Sequence, residues 1–155
     1  MRPLVVMRKI IATTLIILSV FVISASAQQK AVVKSAAAKK MLLGNHKLSL
    51  QWISWENFGK AWITEKDGVI SLSGEQLGAS GDYMNLDGVI TRIDAKEFKF
   101  NGRISIQVSH NNNGHVCERN GDMTFRVTGT RKYWRLVEMN SPCEGIVDYV
   151  DVYFK

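Results

Sequence analysis

A polar stretch with two histidines, HNNNGHVC over residues 110–117, contains the residue types that most often bind transition metals. In a hairpin with a four-residue loop, His110 and His115 would face each other closely enough to share a metal ion. A zinc site needs a third protein ligand, for which Glu118 and His46 are the candidates. We favour the alternative of an Asn-rich turn flanked by surface histidines, and we therefore predict no metal and no other cofactor.

Catalytic motifs are absent from the sequence. It contains no GxSxG elbow, no HExxH and no phosphate-cradling glycine loop of recognised form. Glu56, Asp82, Asp87, Asp148 and Asp151 could in principle pair as general acid and base. Carboxylates scattered over predicted turns and solvent-facing positions are also the ordinary background of a β-domain. The sequence thus favours a non-catalytic protein, with a hydrolase as the least favoured alternative.

Aromatic side chains form the candidate binding surface. Trp62 lies between Ala61 and Ile63, so it points outward if these two small or aliphatic residues point into the core. Tyr149 and Tyr153 alternate with valines in the same way, and one of Trp52 and Trp55 must also point outward. The predicted surface consists of Trp55, Trp62, Tyr133, Arg135, Tyr149 and Tyr153.

Exposed tryptophan and tyrosine beside polar groups can stack on sugar rings or anchor a protein partner. We therefore predict an exported binding protein that presents this surface to a glycan or to a protein of the cell envelope. The alternative is a β-barrel that carries a small hydrophobic ligand in its interior. A third possibility is that the aromatic residues simply pack at the edges and ends of the fold.

The N-terminus has the pattern of a secretory signal peptide. Arg2, Arg8 and Lys9 precede an uncharged apolar run over residues 10–23, and the small residues Ala25 and Ala27 follow it. This pattern predicts cleavage after residue 27. The apolar run is shorter than the roughly 20 residues that a membrane-spanning helix needs. We therefore predict that the protein is exported, to the periplasm or the medium, without a membrane span.

The chain has two cysteines, Cys117 and Cys143. In an exported protein, an even number of cysteines most simply indicates a disulfide. The rival interpretation is a pair of free thiols or metal ligands, but the sequence has no CxxC spacing to support it. We therefore predict a Cys117–Cys143 bond.

The formal net charge of +6 suggests a nucleic-acid partner only until the charges are located. Three basic residues lie in the predicted signal peptide, and four lysines lie in an Ala/Lys-rich leader over residues 28–43. From Met41 onward, 13 basic residues face 14 acidic ones, with the signs interspersed. A phosphate-binding surface needs clustered Lys and Arg, so no nucleic-acid partner is predicted.

The elements that position these residues are short strands. After the leader, which is predicted to be loosely ordered or a frayed helix, residues 44–155 alternate β-branched and aromatic runs with Gly, Asn and Asp. The pattern predicts a single all-β domain of eight or nine strands. The predicted strands span residues 46–55, 59–65, 69–76, 83–93, 97–109, 115–118, 122–128, 131–139 and 146–154.

Face parity separates a bent strand from a hairpin at Asn101-Gly102. Phe98, Phe100, Gly102 and Ile104 fall on one face, which stays apolar through the Asn-Gly pair. A two-residue hairpin there would place both phenylalanines opposite polar residues. A strand bent at glycine is the device by which sheets curl into barrels. We therefore predict a small antiparallel β-barrel, with a two-sheet sandwich as the alternative. For the similar pair Asp87-Gly88, a bend and a hairpin both remain open.

Overall fold

A computed structural model describes residues 29–155 of the chain. The predicted signal peptide, residues 1–27, lies outside the described residues. Residues 29–155 contain one α-helix, two short 3-10 turns and nine strands. The helix α1 spans Ala36–Leu42, and the strands are β1 Val32–Val33, β2 Gly44–Leu50, β3 Gly59–Lys66, β4 Val69–Leu77, β5 Tyr83–Ile93, β6 Glu97–Gln107, β7 Cys117–Arg126, β8 Tyr133–Leu136 and β9 Val150–Tyr153.

Strands β2 to β9 form a closed antiparallel barrel in which each strand pairs with the next one along the chain. The ring closes where β9 pairs with β2, with Leu48 opposite Val152. Strand β1 lies outside the ring and pairs in parallel with the end of β5. Closure leaves no free sheet edge along the seam between the first and last barrel strands. The predicted all-β fold is confirmed, and it is a barrel, not a sandwich.

A row of glycines crosses three neighbouring strands at one level of the barrel. Gly88 lies opposite Gly102, and Gly102 lies opposite Gly121. A Cβ on Gly102 would come within 2.3 Å of the Asp87 carbonyl oxygen and 2.5 Å of the Phe100 ring, so only glycine fits there. The prediction that one strand continues through Gly102, without a hairpin, is confirmed, and Gly88 also lies inside a continuous strand.

The barrel interior is filled by large apolar side chains. The rings of Phe98 and Phe125 stack with centroids 5.0 Å apart, and Trp134 packs edge-on against Phe98. All three are buried, with 2% exposure at most. Phe100 covers the space that Gly88 and Gly102 leave on the inner face. Large apolar side chains therefore occupy this part of the barrel interior.

Several predicted strand boundaries are wrong. The strands predicted over residues 131–139 and 146–154 are shorter, and two further differences have identifiable reasons. The first barrel strand ends at Leu50, so Trp52 and Trp55 lie in a loop and not on opposite faces of a strand. The buried side chain of Gln76 holds this loop, since its Oε1 accepts the Leu50 N–H and its Nε2 donates to the carbonyl oxygens of Ser54 and Asn57. The strands predicted over residues 115–118 and 122–128 are a single strand, β7, which continues through Gly121 at φ +100°.

The segment predicted as a loose leader is an integral part of the fold. Ser35 caps α1 by accepting the Ala38 N–H, and Ala38 and Leu42 are buried in the main core. Buried His46 fixes the end of the helix, because its Nε2 lies 2.6 Å from the Leu42 carbonyl oxygen and its Nδ1 lies 2.8 Å from that of Tyr153. The helix therefore covers one end of the barrel.

The other end of the barrel carries the disulfide. Cys117 and Cys143 are bonded, with Cα atoms 5.9 Å apart, and the prediction is confirmed. The bond attaches the long segment between β8 and β9 to the start of β7. Within residues 29–155, no helix is long and apolar enough to cross a bilayer.

Candidate functional site

Four of the six residues predicted for the binding surface meet on the outer face of β8 and β9. We call them, with the aspartate that they surround, the aromatic–arginine cluster: Tyr133, Arg135, Tyr149, Asp151 and Tyr153. The register causes this meeting, because Tyr133 lies opposite Tyr153 and Arg135 lies opposite Asp151. Their neighbours Val150 and Val152 are fully buried inside the barrel, so the outward direction predicted from alternation is confirmed.

A charge pair organises the aromatic–arginine cluster. The Nε and Nη2 groups of Arg135 each donate to one carboxylate oxygen of Asp151 at 2.7 Å, and Asp151 is 0% exposed. The guanidinium carbon lies 4.2 Å from the centroid of the Tyr149 ring and 5.2 Å from that of Tyr133. The hydrogen bonds to Asp151 raise the pKa of Arg135. A bidentate pair held between two rings gives this surface a fixed shape.

Tyr153 joins the cluster to the loop between β2 and β3. Its ring centroid lies 5.1 Å from that of Phe58 and 5.2 Å from that of Tyr133. The Ser49 hydroxyl donates to the Tyr153 oxygen at 3.2 Å. Burial raises the pKa of Tyr153, so its hydroxyl is neutral at physiological pH. The ammonium of Lys47 lies 5.0 Å from the Phe58 ring centroid, which extends the surface toward a group of lysines.

A groove of about 600 Å³ runs alongside Tyr153 and contains Trp62, the fifth predicted residue. Trp62 is 36% exposed while Ala61 and Ile63 are buried, as predicted from their alternation. We call this feature the basic–aromatic groove. It is lined by Asn45, His46, Lys47, Lys60, Trp62, Lys132, Tyr153, Phe154 and Lys155.

The lysines of the groove are the candidate site residues that sequence analysis missed. Lys47, Lys60 and Lys132 come from three separate segments, and the barrel brings them to one surface. Among residues 29–155, none of these three forms an ion pair with a carboxylate within 4.0 Å. The ammonium of the fourth lysine, Lys155, donates to the carbonyl oxygen of Leu43. A balanced net charge concealed this clustering, because it holds no information on position.

Trp55, the sixth predicted residue, does not line the groove. It is 50% exposed on the loop between β2 and β3, whereas Phe58 from the same loop reaches Tyr153. Trp52 is partly buried against the core, and its Nε1 donates to Asp148 at 3.1 Å. The prediction that one of these tryptophans points outward is therefore confirmed for Trp55, although the strand on which it was based ends earlier.

Three of the five carboxylates considered for catalysis, Asp82, Asp148 and Asp151, have structural partners. Asp148 is buried beside Arg119, with which it forms an ion pair, and burial raises its pKa while Arg119 opposes the rise. Asp82 accepts the Ser109 N–H at 2.8 Å. Together with Asp151 and its Arg135 partner, these contacts hold loops and strands in place.

The three histidines do not form one cluster that includes His46. His110 packs edge-on against Trp52 at the disulfide end, whereas His46 lies beside α1 at the opposite end. Glu118, the other candidate ligand, accepts a hydrogen bond from Ser105 at 2.9 Å. Within the described part of the chain, no three His, Cys, Asp or Glu side chains form a group that could hold a metal ion.

A second, larger groove of about 850 Å³ lies on the outer face of β5 to β7. Its polar groups bind one another: Asn101 donates to Asp122 at 2.7 Å, and Lys99 donates to Thr124 at 2.9 Å. Glu138 accepts the Thr124 N–H at 2.8 Å. The basic–aromatic groove instead offers ammonium groups without a carboxylate partner, so it is the better candidate site.

Comparison with known proteins places the chain in a family. The model of the PM1083 family matches residues 30–154. The chain belongs to the PM1083 family. A relative, the "Uncharacterized protein PM1083" of Pasteurella multocida (strain Pm70), is 46% identical over 113 residues, which cover 73% of each chain. No solved structure matches the chain.

The match to the PM1083 family covers the parts of the molecule that build the site. It begins before β1 and α1 and continues through β9, so the helix and the whole barrel lie within it. The basic–aromatic groove lies within the matched region except for Lys155. The N-terminal segment that the sequence pattern separated from the domain thus belongs to the same family unit as the barrel.

Proposed function

We propose that this member of the PM1083 family is an exported, non-catalytic binding protein that takes an acidic glycan in the basic–aromatic groove. The observation that carries the proposal is the position of Lys47, Lys60 and Lys132 around the exposed ring of Trp62 and the partly exposed ring of Tyr153. This combination supplies stacking surfaces for sugar rings and cations for their acidic groups. The predicted signal peptide and the disulfide are both in keeping with a protein of the periplasm or the medium.

The charge of the groove supports an anionic ligand. Three ammonium groups without carboxylate partners repel one another, and a bound carboxylate, sulfate or phosphate group would relieve this repulsion. Each ammonium can donate three hydrogen bonds. Because the site is open to solvent, binding should weaken as salt screens these charges.

The residue types support a glycan over a protein partner. Protein–protein interfaces are enriched in Tyr, Trp and Arg but depleted in Lys. Arg135, the arginine next to the groove, is already engaged through its Nε and Nη2 groups by Asp151. The groups that remain available are lysine ammoniums and aromatic rings, of which the rings can stack on the apolar face of a sugar.

The first prediction concerns Trp62. Trp62→Ala should lower the affinity for hexagalacturonate at least tenfold, because truncating an aromatic anchor commonly costs more than about 1.4 kcal/mol. The free energy of unfolding should change little, since the Trp62 ring lies outside the core. Isothermal titration calorimetry measures the affinity, and urea denaturation measures the stability.

Trp55→Ala is the matched control, because Trp55 is an exposed tryptophan that does not line the groove. It should bind hexagalacturonate like the wild type, and maltohexaose, an uncharged hexasaccharide, should bind more weakly to all three proteins. Equal loss of affinity in both variants would contradict the proposal, as would equal affinity for the two sugars. Binding of a polyglutamate peptide in preference to hexagalacturonate would assign the groove to acidic protein segments instead.

A further inference from the structure

The charges of the barrel are separated along its axis. The segments at the end covered by α1 are residues 29–43, 67–68, 94–96, 127–132 and 154–155, and they contain eight basic and two acidic residues. The connections after β2, β4, β6 and β8 contain five acidic residues and no lysine or arginine. In an up-and-down barrel, alternate connections lie at opposite ends. Basic residues in one set of connections and acidic residues in the other are therefore separated along the axis.

The basic charges at the α1 end are mostly free and exposed. Lys39 pairs with Glu65, but Lys34, Lys40 and Lys96 form no ion pair among the described residues. All three residues are exposed, and so are Lys30, Arg131, Lys132 and Lys155. The end of the barrel is therefore a broad cationic surface that extends beyond the basic–aromatic groove.

Apolar side chains lie within this cationic surface. Met41, on the outer side of α1, is 44% exposed, and Val33 is 39% exposed beside Lys34. Met41 also lines a shallow cavity of about 630 Å³ together with Phe154, Lys40 and Lys132. Exposed apolar groups among lysines are typical of surfaces that lie in the interface of a bilayer, where the lysines reach the headgroups and the apolar groups reach the acyl boundary.

From this arrangement we infer that the α1 end docks on an anionic membrane surface. Juxtaposed lysines are attracted to acidic headgroups over a distance of about a Debye length. Of the five acidic residues at the disulfide end, Asp148 is buried in an ion pair with Arg119, and the other four are repelled by the same surface. The barrel axis therefore stands upright with α1 toward the bilayer. The docking surface shares Lys132, Phe154 and Lys155 with the basic–aromatic groove. Lys34, Lys40, Met41 and Lys96 lie outside the groove, so variants at these positions test docking separately from the proposed glycan binding.

The test is co-sedimentation with vesicles of phosphatidylcholine that contain or lack 30% phosphatidylglycerol. The full chain is expressed and purified as the cell produces it, and mass spectrometry verifies that all variants have the same N-terminus. The readout is the ratio of the partition coefficients for the two kinds of vesicle, which removes any contribution of an apolar N-terminal segment. We expect the wild type to partition at least tenfold more strongly onto the anionic vesicles. The variant Lys34→Glu/Lys40→Glu/Lys96→Glu should lose this preference.

Two single charge reversals distinguish the effect of a residue's position on vesicle binding from the effect of the net charge. Lys40→Glu and Arg103→Glu change the net charge equally, but the Arg103 side chain is 61% exposed on β6, far along the chain from any connection at the α1 end. Lys40→Glu should weaken anionic partitioning severalfold more than Arg103→Glu, while Trp62→Ala should partition like the wild type. Equal effects of the two reversals would overturn the inference, and so would undiminished partitioning of the triple variant. Binding to soluble dextran sulfate without binding to anionic vesicles would overturn it as well.

If glycan binding fails but the vesicle preference is found, the docking surface stands and the proposed function falls. If Trp62→Ala loses both hexagalacturonate and vesicle binding, the groove itself is the contact for both, and the separate docking surface is refuted. Retention of glycan binding by the triple variant, together with loss of vesicle binding, is the result that supports both sites.

Discussion

Gly102→Val should destabilise the protein by about 4 kcal/mol or more, which places it among the most damaging substitutions. The added Cβ alone would lie 2.3 Å from the Asp87 carbonyl oxygen and 2.8 Å from the Gly88 Cα, both backbone atoms of the neighbouring strand. Neither can move without breaking the pairing of β5 with β6. We expect the melting temperature to fall by roughly 12 °C or more for a domain of this size.

Gly145→Val is the matched control for this prediction. Gly145 lies in the connection between β8 and β9, and a Cβ there would meet no atom within 4 Å. Its melting temperature should stay close to that of the wild type. Where the Gly102→Val protein cannot be recovered, Gly102→Ala brings the same clash with a smaller side chain and can be compared by urea denaturation. An unchanged melting temperature for a Gly102 variant would contradict the steric argument that only glycine fits at this position.

Cys117→Ser/Cys143→Ser should lower the free energy of unfolding by about 2 to 5 kcal/mol. The disulfide closes a loop with a sequence separation of 26, for which the chain-entropy estimate is roughly 3.5 kcal/mol. The bond also fixes the long connection between β8 and β9, which carries Asp148 and Tyr149. Urea denaturation of the oxidised protein and of the double variant measures the difference.

The reduced wild-type protein is the control for the disulfide. It should unfold at the same urea concentration as the double variant, because both proteins lack the cross-link. They differ only in two side-chain atoms, sulfur in one protein and oxygen in the other. If the oxidised protein unfolds at the same urea concentration as these two proteins, the cross-link contributes nothing to stability. A reduced protein that is much less stable than the double variant would instead indicate that the buried thiol of Cys117 is unfavourable.

The barrel could be predicted from sequence because its signals are local. Alternation with a period of two marks each strand, and the pair Asp67-Gly68 supplies the two positive φ values, 52° and 82°, of the hairpin between β3 and β4. The same dipeptide pattern at Asn101-Gly102 lies inside a strand, and face parity was needed to distinguish the two cases. Gln76 was beyond prediction, since its buried amide ends β2 from a residue 26 positions away.

The packing of the helix against the core and the clustering of the lysines could not be predicted, for two different reasons. Helix α1 buries only Ala38 and Leu42, which is too few apolar positions to show a helical period. The lysines of the groove come together only when the barrel closes, since closure brings β2, β3 and the segment before β8 to one side. The aromatic–arginine cluster was partly predictable, because outward alternation identified its tyrosines, but its buried Asp151 became evident only from the register.

The seam between β2 and β9 has a consequence for how the protein folds. Every other pair of barrel strands is adjacent along the chain, so those pairs can form as local hairpins or meanders, whereas the seam joins the first barrel strand to the last. We expect ring closure to be the slow step, since it carries the largest loop entropy. Until β9 has been synthesised, β2 exposes a free edge that can pair with another chain. The period of greatest risk of aggregation is therefore the interval between synthesis of β2 and arrival of β9.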